Sequence, residues 1–264
     1  MTRLSCRRAI ELKATLQETR AEVYTPADAG YAERIRCLEL GEVESGAIVQ
    51  ATTTDEISRV LSYATHHHIP IIVHGGAFAT TNPPRGEAGI VISLVRMGKV
   101  VVDPASRTLA AQGGARWEDL VGVADAFGLT VVPATGDDTT GEAGLEGSGW
   151  LTNCPGPIID NLVSVKIVLA DGSIVTTSST ERPDLFWALH LAGGAFGLAT
   201  ELVFRVYPKS SQQVFTEGHE GGGPKFGLED PGEDDLPRLQ KLKKQYDPCG
   251  LFGGLDSTSL DTRR

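Results

Sequence analysis

The chain has 264 residues, 41% hydrophobic and 22% charged, the composition of an ordinary globular protein with material for one large domain or two small ones. A formal net charge of −10 argues against a nucleic-acid partner; the one basic cluster, Lys241, Lys243 and Lys244, reads as the solvated face of a helix. No apolar run is long enough to span a bilayer, the N-terminus lacks the apolar stretch of a secretory signal, and Cys6, Cys37, Cys154 and Cys249 show no metal-binding spacing, so a cytoplasmic protein with free thiols, no membrane partner and no metal is expected.

Residues 1–24 read as an amphipathic helix, strongest from Ala9 to Thr19. A short strand follows at 47–50. Thr54, Asp55 and Glu56 mark a helix start, and Ile57, Val60, Leu61 and Ala64 share one face of a helix running to His67. Ile69 to Val73 is a buried strand that runs straight into His74, Gly75, Gly76 and Ala77. Further strands are expected at 90–94, 99–102 and 107–112, the last two joined by a turn over Asp103 to Ser106. A helix spans Trp117 to Phe127 and Gly128 ends it in the left-handed conformation. Val131 and Val132 lead into a loop, 134–149, rich in glycine, threonine and acidic residues. Strands at 161–169 and 173–177 flank a hairpin turn at Asp171 and Gly172. Asp184 to Leu191 is a short helix and 198–206 a last strand. Residues 209–235 are polar and rich in glycine, proline and acidic side chains, a linker by composition, before a short helix at 236–246 and a polar tail. This order gives an α+β protein of two abutting subdomains.

The stretch from Ile71 to Phe78 is the most informative. A buried strand that ends in consecutive small residues exposes successive backbone N–H groups, which suits a phosphate or diphosphate; the same loop also reads as a plain tight turn. It matches neither the Rossmann nor the P-loop spacing. A second glycine-rich region, Gly136 through Gly149, tips the balance toward one extended ligand touched twice. The three consecutive histidines His66, His67 and His68 point in different directions at a helix end, so the helix dipole accounts for them better than a metal does. His219 falls in the linker and reads as solvated.

Residues Ala47 to Pro208 resemble the FAD-binding domain of the vanillyl-alcohol-oxidase superfamily, the PCMH type, and within it the berberine-bridge-enzyme-like oxidases. The segments that carry the resemblance are Ile71 to Phe78; Gly147 to Leu151 with Ile159 to Leu162; Val168 to Gly172; and Pro183 to Leu189 leading to Phe196 and Gly197. Residues 239–248 are similar to the family's closing segment. The resemblance implies a PCMH-type fold of two abutting α+β subdomains, 47–208, between an N-terminal lead-in, 1–46, and a C-terminal helix and tail, 236–264. It implies FAD as cofactor and a small-molecule substrate oxidised by hydride transfer. The cofactor diphosphate is expected on the backbone of His74, Gly75, Gly76, Ala77 and Phe78. The flavin side is expected along Gly136, Gly141, Gly144, Gly147, Ser148, Gly149 and Trp150, and the adenine end near Gly197 and Leu198.

Several positions depart from the family pattern. Phe78 stands where many relatives bond a histidine to the flavin, and residues 132–136 hold no cysteine, so FAD is expected to be non-covalent. His74 stands where an arginine is usual. His190, Leu191 and Ala195 replace residues of an Arg-Gly-x-Gly-x-Asn pattern, and Asp137, Asp138, Glu142 and Glu146 add carboxylates to the second glycine loop. The 27 residues 209–235 stand in place of a substrate domain, so no catalytic residue is nominated. The alternative to an FAD-dependent oxidoreductase is a truncated flavin-fold protein without redox activity, a scaffold or pseudo-oxidase.

Overall fold

A computed structural model describes residues 4–37, 45–75, 89–132, 158–209, 235–253 and 255. The first helix, α1 (Cys6–Thr15), starts where the Ser5 hydroxyl accepts from the Arg8 amide. It stops well short of the helix expected over 1–24. Residues 16–18 form a turn, and β1 (Glu22–Tyr24) is extended because it pairs antiparallel with β2 (Ser45–Gln50), a long-range ladder that overrides local helix propensity. Between them lies α2 (Tyr31–Cys37), which the sequence reading had missed.

The helix α3 (Thr54–His67) forms as its pattern predicts, with Ile57, Val60, Leu61 and Ala64 fully buried. Its start is a reciprocal capping box between Thr53 and Glu56. The Glu56 carboxylate, only 3% exposed, accepts from the amides of Arg20, Thr52 and Thr53 and from the Thr52 hydroxyl, tying the α1–β1 connection to the head of α3. Burial alone pushes this carboxyl up, but these hydrogen bonds outweigh it and hold it below its ordinary value. A depressed carboxyl contributes stability above the unfolded-state pKa, and that stability is lost as pH falls through the lower folded value. Glu56→Gln is therefore expected to cost roughly 1–3 kcal/mol near neutral pH and to flatten the loss of stability below about pH 4.5, read from urea unfolding across pH. An unchanged acid limb would show that Glu56 is not the group responsible.

After α3, His68 caps the helix in the left-handed region (φ 52°), and β3 (Ile71–His74) and β4 (Gly89–Ser93) complete a sheet of order β1-β2-β4-β3, with β2, β4 and β3 parallel. The second sheet is antiparallel. It holds β5 (Val100–Asp103), β6 (Thr108–Gln112), β8 (Leu162–Val168), β9 (Ile174–Ser178) and β10 (Leu198–Arg205) in the order β5-β6-β10-β8-β9. The helix α4 (Trp117–Asp125) packs on it and gives way to a turn at Gly128 (φ 66°); then β7 (Leu129–Thr130) pairs with β11 (Tyr207–Pro208). Both of these short strands escaped the sequence reading. The hairpin at Asp171 and Gly172 is present, with Gly172 at φ 85°. The last two helices are α5 (Pro183–Ala192) and α6 (Leu236–Tyr246). No helix among the described residues is long and apolar enough to cross a membrane.

Three hydroxyls on one face of α3 fasten the two sheets together. Ser58 donates to the Gly172 carbonyl at 2.5 Å, Ser62 to that of Asp171 at 3.0 Å, and Thr65 to that of Ala170. Their spacing of four and three residues is what puts them on one face. Any side chain at Gly172 would strike Ser62, whose Oγ lies 1.9 Å from where a Cβ would stand.

The closing segment contributes to both cores. Leu239 and Leu242 of α6 pack with α5 and the antiparallel sheet, while Leu251 and Phe252 enter the core under the parallel sheet. The turn between them is organised by Asp247, 2% exposed, which accepts from Lys243 Nζ at 2.6 Å and from the amides of Leu251 and Phe252 at 2.8 and 2.9 Å. Lys243 also donates to the Ala195 carbonyl. This corrects the expectation of a solvated lysine face: the Lys243 side chain is 12% exposed and committed to buried partners.

Candidate cofactor site

The parallel strands β2, β4 and β3 all end at one edge of their sheet, where ligands commonly sit in α/β arrangements. There β3 terminates in His74, and Gly75 takes φ 73°, a left-handed conformation that turns the chain out of the strand. Among the described residues, a Cβ at Gly75 would meet only the Val95 amide nitrogen, at 3.9 Å. A left-handed glycine at the end of a strand turns the backbone away from the ladder, the kind of turn at which anion-binding concavities form. Of the other residues expected in this loop, Gly76, Ala77 and Phe78 lie outside the described residues, as do Gly136, Gly141, Gly144, Gly147, Ser148, Gly149 and Trp150 and the acidic residues among them.

The remaining two expected residues, Gly197 and Leu198, lie at the start of β10. A Cβ at Gly197 would stand 2.7 Å from the Val168 carbonyl oxygen, so a strand-to-strand approach requires a glycine there. The Leu198 side chain is fully buried in the core that the two sheets share.

These two groups are joined through residues the sequence reading had missed. The Leu94 amide donates to the His74 carbonyl at 2.9 Å. Gly113 and Gly114 press against Leu94: a Cβ on Gly114 would be 1.9 Å from the Leu94 oxygen, and one on Gly113 would be 3.2 Å from Leu94 Cδ1 and 2.5 Å from the Ala199 oxygen. The Gly113 amide donates to the Thr200 carbonyl at 3.0 Å. A chain of contacts thus runs from His74 through Leu94 and Gly113 to the start of β10. The paired glycines at 113 and 114 were the available signal, since two successive glycines after a strand mark a close approach of backbones.

Three of the positions that depart from the family pattern, His190, Leu191 and Ala195, have structural roles. Leu191 is a core residue, 9% exposed, and the Ala195 carbonyl receives Lys243. His190 sits edge-on to Phe186, with Nδ1 2.8 Å from the Phe186 carbonyl oxygen. At the other helix end, His67 lies against Tyr63 and His66, and partial burial pushes its imidazole below the ordinary histidine value.

Residues 45–178 match the family model described as FAD binding domain, just over half of the chain. An FAD-linked oxidoreductase, hasG, of Aspergillus fumigatus is 37% identical over 183 residues, which are 64% of this chain and 37% of that protein. The (R)-6-hydroxynicotine oxidase of Paenarthrobacter nicotinovorans is 29% identical over 198 residues, 74% of this chain and 43% of that protein. The chain spans about a third of the length of the first fungal relatives it matches, 37% and 32% for two of them. Among solved structures, 6-hydroxy-D-nicotine oxidase from Arthrobacter nicotinovorans superposes with a TM-score of 0.63 at 28% identity, over 72% of this chain and 43% of that one. The wild-type BBE-like 1 protein of Physcomitrella patens shares the fold, with a TM-score of 0.59 at 21% identity over 74% of this chain and 44% of that one. The chain belongs to the FAD-binding domain family of PCMH-type, berberine-bridge-enzyme-like proteins, and FAD is the cofactor of that family.

Proposed function

We propose that the chain is the cofactor-holding part of an FAD-dependent oxidoreductase of the berberine-bridge-enzyme-like type. The observation that carries this reading is the left-handed Gly75 at the end of a buried parallel strand, inside the segment matched by the family model. A turn of this kind suits a diphosphate, and the strand residue paired with His74 is the neutral Ser93. Bound FAD supplies a two-electron acceptor for a hydride leaving a small organic substrate. The protein's own part is to seat the diphosphate on the backbone from His74 to Phe78, to pass the flavin side along the 136–150 loop, and to hold the adenine end near Gly197 and Leu198. Phe78 offers no nitrogen for a bond to the flavin, so the cofactor is held non-covalently. A relative named for oxidation of a hydroxynicotine supports a small organic substrate with an oxidisable carbon.

The test is an absorbance spectrum of the purified protein before and after acid precipitation. Yellow protein that releases its flavin to the supernatant is expected. A yellow pellet would overturn non-covalent attachment, and protein that stays colourless after incubation with excess FAD would overturn the cofactor role itself.

A further inference from the structure

The register of the parallel sheet aligns four polar residues across one of its faces. Glu22 pairs with Gln50, Gln50 with Ser93, and His74 with Ser93. Two residues back along each parallel strand, the corresponding rung is apolar: Tyr24, Ile48, Val91 and Ile72 pack together. Side chains two residues apart share a face, so the polar rung lies on the same face as this cluster, at the edge from which Gly75 departs.

Within the rung, Ser93 has no accounting inside the protein. It is 0% exposed, yet its Oγ has no hydrogen-bond partner, a costly and uncommon state for a buried hydroxyl. Its flanking residues on the rung are Gln50 and His74, neither of them acidic. The one acid of the rung, Glu22, lies two strands away, about 10 Å. Its charge is met by Arg96 at 3.0 Å and Arg34 at 3.9 Å. A neutral hydroxyl without a partner, on the strand residue paired with His74 just before the left-handed Gly75, is a donor suited to an anion.

We propose that Ser93 is a cofactor-binding residue whose hydroxyl donates to a phosphate oxygen of the FAD diphosphate seated at the Gly75 turn. This rests on the FAD reading above and adds to it a side chain that the glycine loop alone does not supply. Before the cofactor arrives the hydroxyl is a liability to the fold; the phosphate turns it into a charge-assisted hydrogen bond. Removing it must therefore act with opposite sign on the two states, which a merely structural serine would not do.

The experiment compares the full chain with Ser93→Ala by thermal unfolding without ligand and by equilibrium binding of FAD, ADP and riboflavin. Expected for Ser93→Ala is an unliganded midpoint equal to or above the parent's, with FAD and ADP bound roughly ten- to hundredfold more weakly and riboflavin unaffected. A lowered midpoint with FAD and ADP affinities within about threefold of the parent would make Ser93 structural and overturn the proposal. An equal loss for riboflavin would overturn it too, because the effect would not lie at the diphosphate. A parent protein that binds neither FAD nor ADP would instead remove the FAD reading beneath it.

Discussion

Replacing Asp247 with alanine is expected to lower the unfolding free energy by about 3–5 kcal/mol, the range for stripping one partner from a buried ion pair. The carboxylate is wholly enclosed and meets Lys243 at 2.6 Å, so its loss leaves an ammonium that is 12% exposed with, among the described residues, the Ala195 carbonyl alone to receive it. It also leaves the amides of Leu251 and Phe252 without acceptors and frees the turn that delivers both side chains to the core under the parallel sheet. Asp247→Asn keeps the shape but offers one acceptor where two are used, and should fall between parent and alanine. Urea unfolding decides the matter, and a cost below about 1 kcal/mol for the alanine variant would show that the pair contributes little beyond its own desolvation. The double variant with Lys243→Met should cost less than the sum of the two single changes, because it removes both charges together.

Gly114→Ala is the second large effect. Its methyl would stand 1.9 Å from the Leu94 oxygen and 2.6 Å from the Leu94 carbonyl carbon, backbone atoms that no rotamer change can move aside. Relief requires the end of β4 to shift, and the cost should sit at or above the upper end of the 1–3 kcal/mol usual for overpacking, about 3 kcal/mol. Because the Leu94 amide holds the His74 carbonyl, the shift reaches the edge where Gly75 turns, and the stabilisation gained from excess FAD should shrink as well. Gly122→Ala serves as the internal control. That glycine lies within α4 with nothing within 4 Å of a Cβ, so alanine should stabilise by about 0.5–1 kcal/mol through helix propensity. Comparable losses at both positions would mean that close approach at Gly114 is not the cause.

What the sequence revealed was whatever depends on neighbours along the chain. The spacing of Ile57, Val60, Leu61 and Ala64 made α3 readable, and Asp171 with Gly172 announced the β8–β9 hairpin. The strand ending at His74 and the turn at Gly75 were readable for the same reason, since a buried run followed by glycine is a local signal. Elements that exist only through distant pairing were not readable. The chain from Glu22 to Tyr24 looks like more helix until β2 is present to pair with it, and β7 needs β11, some eighty residues later, to be a strand at all. Ser93 was hidden in a run of buried residues, 89–93, that gives no sign of which side chains share a rung; the rung exists only once four strands have taken their register. Lys243 was misread for a related reason: one lysine of a basic helix looks like any other until tertiary packing encloses it with Asp247. Glycines 113 and 114 carried a signal, but nothing local says that their partner is Leu94.

The placement of Leu251 and Phe252 has a consequence for biosynthesis. The core of the parallel sheet is assembled from α1, α3 and the strands ending at His74 and Ser93, then Val168, Ala170 and Leu198, and after them Leu251 and Phe252. On a ribosome adding roughly 5–20 residues per second, the interval between Leu94 and Leu251 is on the order of ten seconds or more. Throughout that time the apolar surface that Leu251 and Phe252 cover is open. The late-emerging turn at Asp247 is the cover for that patch, so the step most exposed to capture by chaperones or by other nascent chains precedes its synthesis.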